Sequence, residues 1–146
     1  MGMFDASTGD LVTYLKTRTG ITALVGATTS ARIYPVYAKQ GAALPHLVYV
    51  QNGGESYRHL SKGSGIRRTV LQVFCYAATQ AGADQLAEQV RLSLANYRGA
   101  MGDSRVHDCQ QAASALTGWD EAEDASDTAR YWTMLVFDLM HNETAV

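Results

Sequence analysis

The sequence predicts an α+β protein, a mostly antiparallel sheet with two helices packed on one face. Three observations carry this expectation. Apolar periodicity changes along the chain in the order helix, strand, strand, strand, helix, strand, strand. Both prolines, Pro35 and Pro45, fall at the edges of β-prone runs, where a missing backbone donor and a fixed φ do least harm. Residues 79–97 carry one strongly amphipathic helical pattern, with hairpin-like links before and after it.

The elements follow in order. Ser7, with Asp10 three residues on, reads as a helix start, because a hydroxyl caps an orphan N–H and a carboxylate favours the positive end of the helix dipole. Leu11, Tyr14 and Leu15 then share a face. Gly20 is expected to end this helix, and Ile21, Leu24 and Val25 add one apolar turn before Gly26. Within RIYPVYAKQGAALPHLVYV, residues 32–50, short strands are expected around 33–34 and 47–51, joined by a surface linker over 38–44. Asn52-Gly53-Gly54 reads as the end of the second strand. The polar, basic stretch that follows, with Tyr57, Arg58, His59 and Lys62, reads as a long hairpin tip rather than a tight turn.

Residues 66–76 form the third strand. Leu71, Val73 and Cys75 face one way; Val70, Gln72, Phe74 and Tyr76 face the other. In the long helix, Ala83, Leu86, Ala87, Val90, Leu94 and Tyr97 recur at helical spacing, while Gln85, Glu88, Gln89, Ser93 and Asn96 cover the polar side, where Leu92 stands alone. Gly99 and Gly102 stop the helix. Residues 104–117 make a weaker strand, followed by an acidic loop. The closing strand, 129–141, is apolar on both faces: Tyr131, Leu135, Phe137 and Leu139 against Trp132, Met134, Val136 and Met140. A sheet covered on one face alternates apolar and polar. The third and last strands break that rule, so the second face is expected to meet either another layer or another subunit.

The 146 residues fit a single domain, 1–146, large enough to bury about 70% of the surface of its unfolded chain without disulfides or metal. A formal charge of −2 argues against a dedicated nucleic-acid binder. The first residues, MGMFDASTGD, lack the basic and apolar regions of a secretory signal, and no apolar run approaches the roughly 20 residues that cross a bilayer. A soluble protein of a reducing cytoplasm is the expectation. Cys75 sits in an apolar strand pattern and reads as a buried thiol; Cys109 lies in a more polar run, and the sequence leaves a Cys75–Cys109 bridge open.

Catalytic and metal motifs are wanting. His46, His59, His107 and His141 are scattered, with no HExxH. His107-Asp108-Cys109 has the residue types of a thiol triad, yet neighbours along a strand point to opposite faces. Gly63-Ser64-Gly65 leads into Ile-Arg-Arg, not into a P-loop, and the acidic loop lacks the glycine and ligand spacing of a calcium loop. No catalytic, metal or cofactor-binding residue is assigned. What stands out is segregated charge: Arg58, Lys62, Arg67 and Arg68, with His59 and Tyr57, against Asp120, Glu121, Glu123 and Asp124. A basic tip and an acidic loop on one chain can meet between identical neighbours, and a heterologous contact closes into a ring where the rotation permits. These ten residues are the candidate interface.

With these residues laid out, the chain resembles the tail-terminator, or tail-completion, family of long-tailed bacteriophages. The likeness lies in RIYPVYAKQGAALPHLVYV, in VLQVFCYAATQAGADQLAEQVRLSL, in the helical start that includes ITALVG, and in YWTMLVFDLM, all in the family's order. Residues 99–127 depart most. The resemblance implies a small α+β subunit that forms a ring, typically a hexamer, in the virion neck. Such a ring caps the tail tube and faces the head-side connector, with viral DNA passing through the lumen. It implies assembly in the host cytoplasm, no membrane, no enzyme activity and no cofactor. The readings from other classes are an α+β interaction or adaptor module, and a small hydrolase or thiol enzyme.

Overall fold

The computed structural model describes residues 10–26, 31–36, 38, 42–58, 63–101, 104–120 and 129–142. Ten elements follow one another: α1 (Asp10–Leu15), α2 (Thr19–Val25), β1 (Ile33–Pro35), β2 (His46–Arg58), β3 (Gly63–Ala77), α3 (Gln80–Leu94), β4 (Gly99–Met101), β5 (Ser104–Gln111), β6 (Leu116–Asp120) and β7 (Arg130–Asn142). The strands form one sheet in the order β1-β2-β3-β7-β5-β4, with β6 also paired to β7. β1 runs parallel to β2; every other pairing is antiparallel. The mixed α+β class expected from the sequence is therefore present, with three helices rather than two.

The extra helix boundary has a local cause. The Thr17 hydroxyl donates to the Tyr14 carbonyl at 2.6 Å, and the backbone N–H groups of Thr17 and Arg18 bond three residues back. That tightens and ends α1. Gly20 does not terminate a helix; it lies in the first turn of α2, where a Cβ would run into the Gln89 side chain of α3. The glycine lets the two helices approach closely. The proposed Ser7 cap lies outside the described residues.

β2 does not stop at Asn52-Gly53-Gly54. A bulge between Asn52 and Gly54 absorbs one residue, and pairing with β3 continues to Arg58↔Gly63. The third strand accordingly begins at Gly63, not at 66. The region expected to be one strand over 104–117 is two, because residues 112–115 leave the sheet. β5 pairs with the C-terminal half of β7 and β6 with its N-terminal half.

α3 begins at a Thr79 cap whose hydroxyl accepts from the Gly82 N–H at 3.0 Å. Its apolar face and those of α1 and α2 pack on one face of the sheet. Leu11, Leu15, Ile21, Val25, Leu86, Val90 and Leu94 meet Leu47, Leu71, Val73, Leu135, Phe137 and Leu139 in one core. Ser93, expected on the polar side of α3, is buried. The Tyr14 hydroxyl donates to its carbonyl at 2.6 Å, and its own hydroxyl donates to the Gln89 carbonyl at 2.8 Å.

Candidate interaction surface

The strand rows identified in the sequence divide as expected. Leu71, Val73 and Cys75 of β3 and Leu135, Phe137 and Leu139 of β7 are buried beneath the helices. Val70, Gln72, Phe74, Tyr76, Trp132, Met134, Val136 and Met140 take the opposite face and remain partly exposed. No described helix covers them. Five rings form a ladder across this outer face. Tyr34 meets His46 edge-on at 5.7 Å, and His46 stacks on Tyr76 at 5.0 Å. Tyr76 and Phe74 lie 6.3 Å apart, and Phe74 meets Trp132 at 5.8 Å. The ladder thus crosses β1, β2, β3 and β7. Gly118 makes its end possible, since a Cβ there would fall on the Trp132 indole.

A groove of about 390 Å³ runs along the ladder, lined by Val36, Ala38, His46, Phe74, Tyr76 and Arg130 among others. The His46 ring is wholly buried, with Nδ1 3.1 Å from the Ala43 carbonyl. A carbonyl only accepts, so the proton sits on Nδ1 and the neutral ring keeps a lone pair on Nε2. Burial favours that neutral form and pushes the His46 pKa below its ordinary value. The nearby Arg130 and Arg32 charges push the same way, against the Ala43 hydrogen bond. His46 Nε2 has no hydrogen-bond partner, nor has the buried Nε of Arg130, whose guanidinium lies over the Tyr76 ring at 5.8 Å. In the sequence His46 belongs to no motif and is one of four scattered histidines. The stacking that gives it a place depends on register between β1, β2 and β3, which no local pattern carries.

The candidate interface residues that are described fall toward two ends of the sheet. Tyr57, Arg58 and Arg67 have backbone positions on the β2–β3 ribbon; His59, Lys62, Glu121, Glu123 and Asp124 lie outside the described residues. Arg68 pairs with Asp138 at 2.8 Å on the outer face, so it is engaged within its own chain. Asp120 pairs in register with Arg130, and its carboxylate lies 3.4 Å from the Trp132 indole N–H. Arg68 stands opposite Met140 and Asp120 opposite Arg130, ten residues apart along β7. At roughly 3.3 Å per residue, about 33 Å separates them. Among the described residues, Arg68 and Asp120 are not brought together within one chain.

Both thiols are buried and free. Cys109 is fully buried rather than partly polar, and burial pushes its pKa up to about 12; burial raises that of Cys75 as well. Both are therefore protonated and unreactive at neutral pH. Cys75 lies opposite Thr133 and Cys109 opposite Leu139, on either side of β7 and six residues apart along it. That is about 20 Å, far beyond the reach of a disulfide. His107 is exposed while Cys109 is buried, so they do not share a face. Among the described residues no cluster of three metal-ligating side chains occurs, and no helix is long and apolar enough to cross a membrane.

One face of the sheet is finished by helices, and the other is left aromatic, apolar and grooved. Residues 9–138 match the family described as "Tail completion protein gp17", and the chain belongs to that family. It is thereby a structural protein of the phage tail. Among solved structures, a chain from the virion of the native gene transfer agent (GTA) particle is similar in fold. Its TM-score is 0.56 at 14% identity, over 94% of this chain and 97% of that one. No curated protein sequence matches the chain.

Proposed function

We propose that the protein is a tail-terminator subunit that assembles head to tail into a ring, sixfold in symmetry, in the neck of a long-tailed phage. The ring caps the tail tube, halts its growth and meets the head-side connector; viral DNA passes through its lumen without sequence-specific binding. The subunit is one domain, has no enzymatic role and is assembled in the host cytoplasm.

The observation that carries this reading is the outer sheet face. Contiguous apolar surface of several hundred Å² is unusual on a protein that stays monomeric. Here Val70, Phe74, Trp132, Met134, Val136 and Met140 are all partly exposed on one face, and no described helix lies over them. Light scattering coupled to size exclusion, with negative-stain images, tests the proposal on free protein and on purified particles. Rings of uniform size are expected, in solution or at the tail top. A strict monomer in both preparations overturns it.

A further inference from the structure

The surroundings of the fully buried His46 ring suit its neutral form alone. The Nδ1 proton goes to the Ala43 carbonyl, and Nε2 has no hydrogen-bond partner. A second proton, placed on Nε2, would find no acceptor there. Among the described residues, the elements packed around the ring bring cations and aromatic faces, and no carboxylate acts on it. From β7, Arg130 lies over Tyr76, the ring on which His46 stacks. Ahead of β1, Arg32 donates to the Pro45 carbonyl at 2.8 Å and to the Leu24 carbonyl at 3.0 Å, so its charge meets carbonyls rather than an acid. β1 contributes Tyr34 and β3 contributes Tyr76. Asp120 of β6 bears on Tyr76 but not on His46. Aromatic faces attract a cation, yet lost hydration and two like charges work against one here.

The same ring holds down a short edge strand. β1 has three residues and only β2 beside it. Pro35 supplies no backbone donor, and of the three residues only Ile33 reaches the core. Just past the strand, Val36 is 65% exposed and holds a φ of 66°, a conformation that a β-branched residue adopts only under constraint. At its two ends β1 is tied to β2 by the Leu47 N–H on the Arg32 carbonyl and the Val36 N–H on the Tyr49 carbonyl, both at 2.9 Å. Between them the Tyr34 ring stands edge-on to His46. An edge with so few buried contacts opens before the strands at the centre of the sheet.

We infer that His46 and β1 form an acid-operated latch: uptake of a proton on His46 Nε2 releases β1 from β2, while the rest of the sheet stays paired. The proton comes from solvent, and only hydrogen bonds break. At neutral pH β1 is shut against β2. In acid the groove lined by Val36, His46, Tyr76 and Arg130 widens, and the outer edge of β2 at Leu47–Tyr49 becomes free to pair. The latch belongs to the single chain and stands whether or not the ring proposed above forms.

Amide hydrogen exchange of the parent protein between about pH 7 and pH 5, followed residue by residue and corrected for the intrinsic rate, tests it. Protection of the Val36 and Leu47 N–H groups is expected to fall about tenfold per pH unit below about 6.5, the slope of one proton taken up on opening. The Ala112 N–H, bonded to the Val136 carbonyl, is expected to keep its protection. His46→Gln, which takes up no proton, is expected to give flat profiles at Val36 and Leu47. The ring nitrogen resonances of the parent report protonation of Nε2 independently, so the test stands even where the variant does not fold. Four results overturn the latch: flat profiles in the parent, a fall shared by Ala112, a fall retained in His46→Gln, or a ring that protonates with Val36 and Leu47 still protected.

Discussion

Two crowded glycines separate soft from hard neighbours at the residue scale. At Gly20 an added Cβ meets the far end of Gln89, a flexible side chain that can swing into solvent. Gly20→Ala is therefore expected to be neutral or to gain up to about 1 kcal/mol from helix propensity. At Gly118 the Cβ falls on the rigid Trp132 ring, which also donates to Asp120. Gly118→Ala is expected to cost about 1–3 kcal/mol and to disturb the outer face. Urea unfolding of both variants checks the contrast, and equal behaviour refutes it. His46 makes a second residue-scale prediction. Its folded pKa lies below the unfolded value of about 6.5, so the unfolded state binds more protons as the solution is acidified. Its contribution to stability is complete above pH 6.5 and is lost as pH falls toward the folded pKa. The urea midpoint of the parent is expected to drop between about pH 7 and pH 5 more steeply than that of His46→Gln. Parallel profiles would exclude His46 as the cause. The charged groups that bear on this ring are Arg130 and Arg32.

The β2–β3 arm and the long strand β7 govern behaviour at the scale of elements. β7 serves as the spine: β3 lies along one edge, and β5 and β6 share the other. Cutting into it would dismantle the sheet. The arm is different, because its last pair, Arg58↔Gly63, lies beyond the end of the β3–β7 pairing at Ile66↔Asn142. Removing residues 57–62 is expected to leave the unfolding midpoint nearly unchanged while abolishing assembly onto tails. Circular dichroism and infectivity measure the two halves of that statement, and normal infectious particles would refute it. The periodicity of residues 66–76 and 129–141 told correctly which side chains lie under the helices, because alternation is a property of each strand alone. The Asn52-Gly53-Gly54 break did not materialise. A bulge can absorb glycine without ending a strand, and only the partner strand reveals that it has.

Charge placement and the open sheet face act together at the scale of the whole molecule. Rim charges set association rate and salt dependence, while apolar burial supplies affinity. The Debye length falls from about 10 Å at 0.1 M salt to about 3 Å at 1 M, so salt is expected to slow ring formation without dissolving formed rings. Arg68 is a poor probe of this effect because reversing it would set a carboxylate against Asp138. Arg58→Glu with Lys62→Glu is the cleaner change, and Glu121→Lys with Glu123→Lys is expected to restore part of the lost rate. Light scattering over time measures both. Intact assembly kinetics in the first variant, or no recovery in the combined one, would refute a charge contact between subunits.

The sequence by itself determined the α+β class, the faces of the long helix and of the two longest strands, and the ordered segments that mark the tail-completion family. Each of these is local, written in periodicities of 2 and 3.6 residues or in short runs. The tertiary structure alone decided what lies opposite what. Pairing in register set Cys75 and Cys109 far apart, held Arg68 against Asp138, placed Arg68 and Asp120 toward opposite ends of β7, and stacked Tyr34, His46, Tyr76, Phe74 and Trp132 into one ladder. Those relations depend on hydrogen bonds between strands distant in the chain, and a register shift of one residue would reverse every one of these faces.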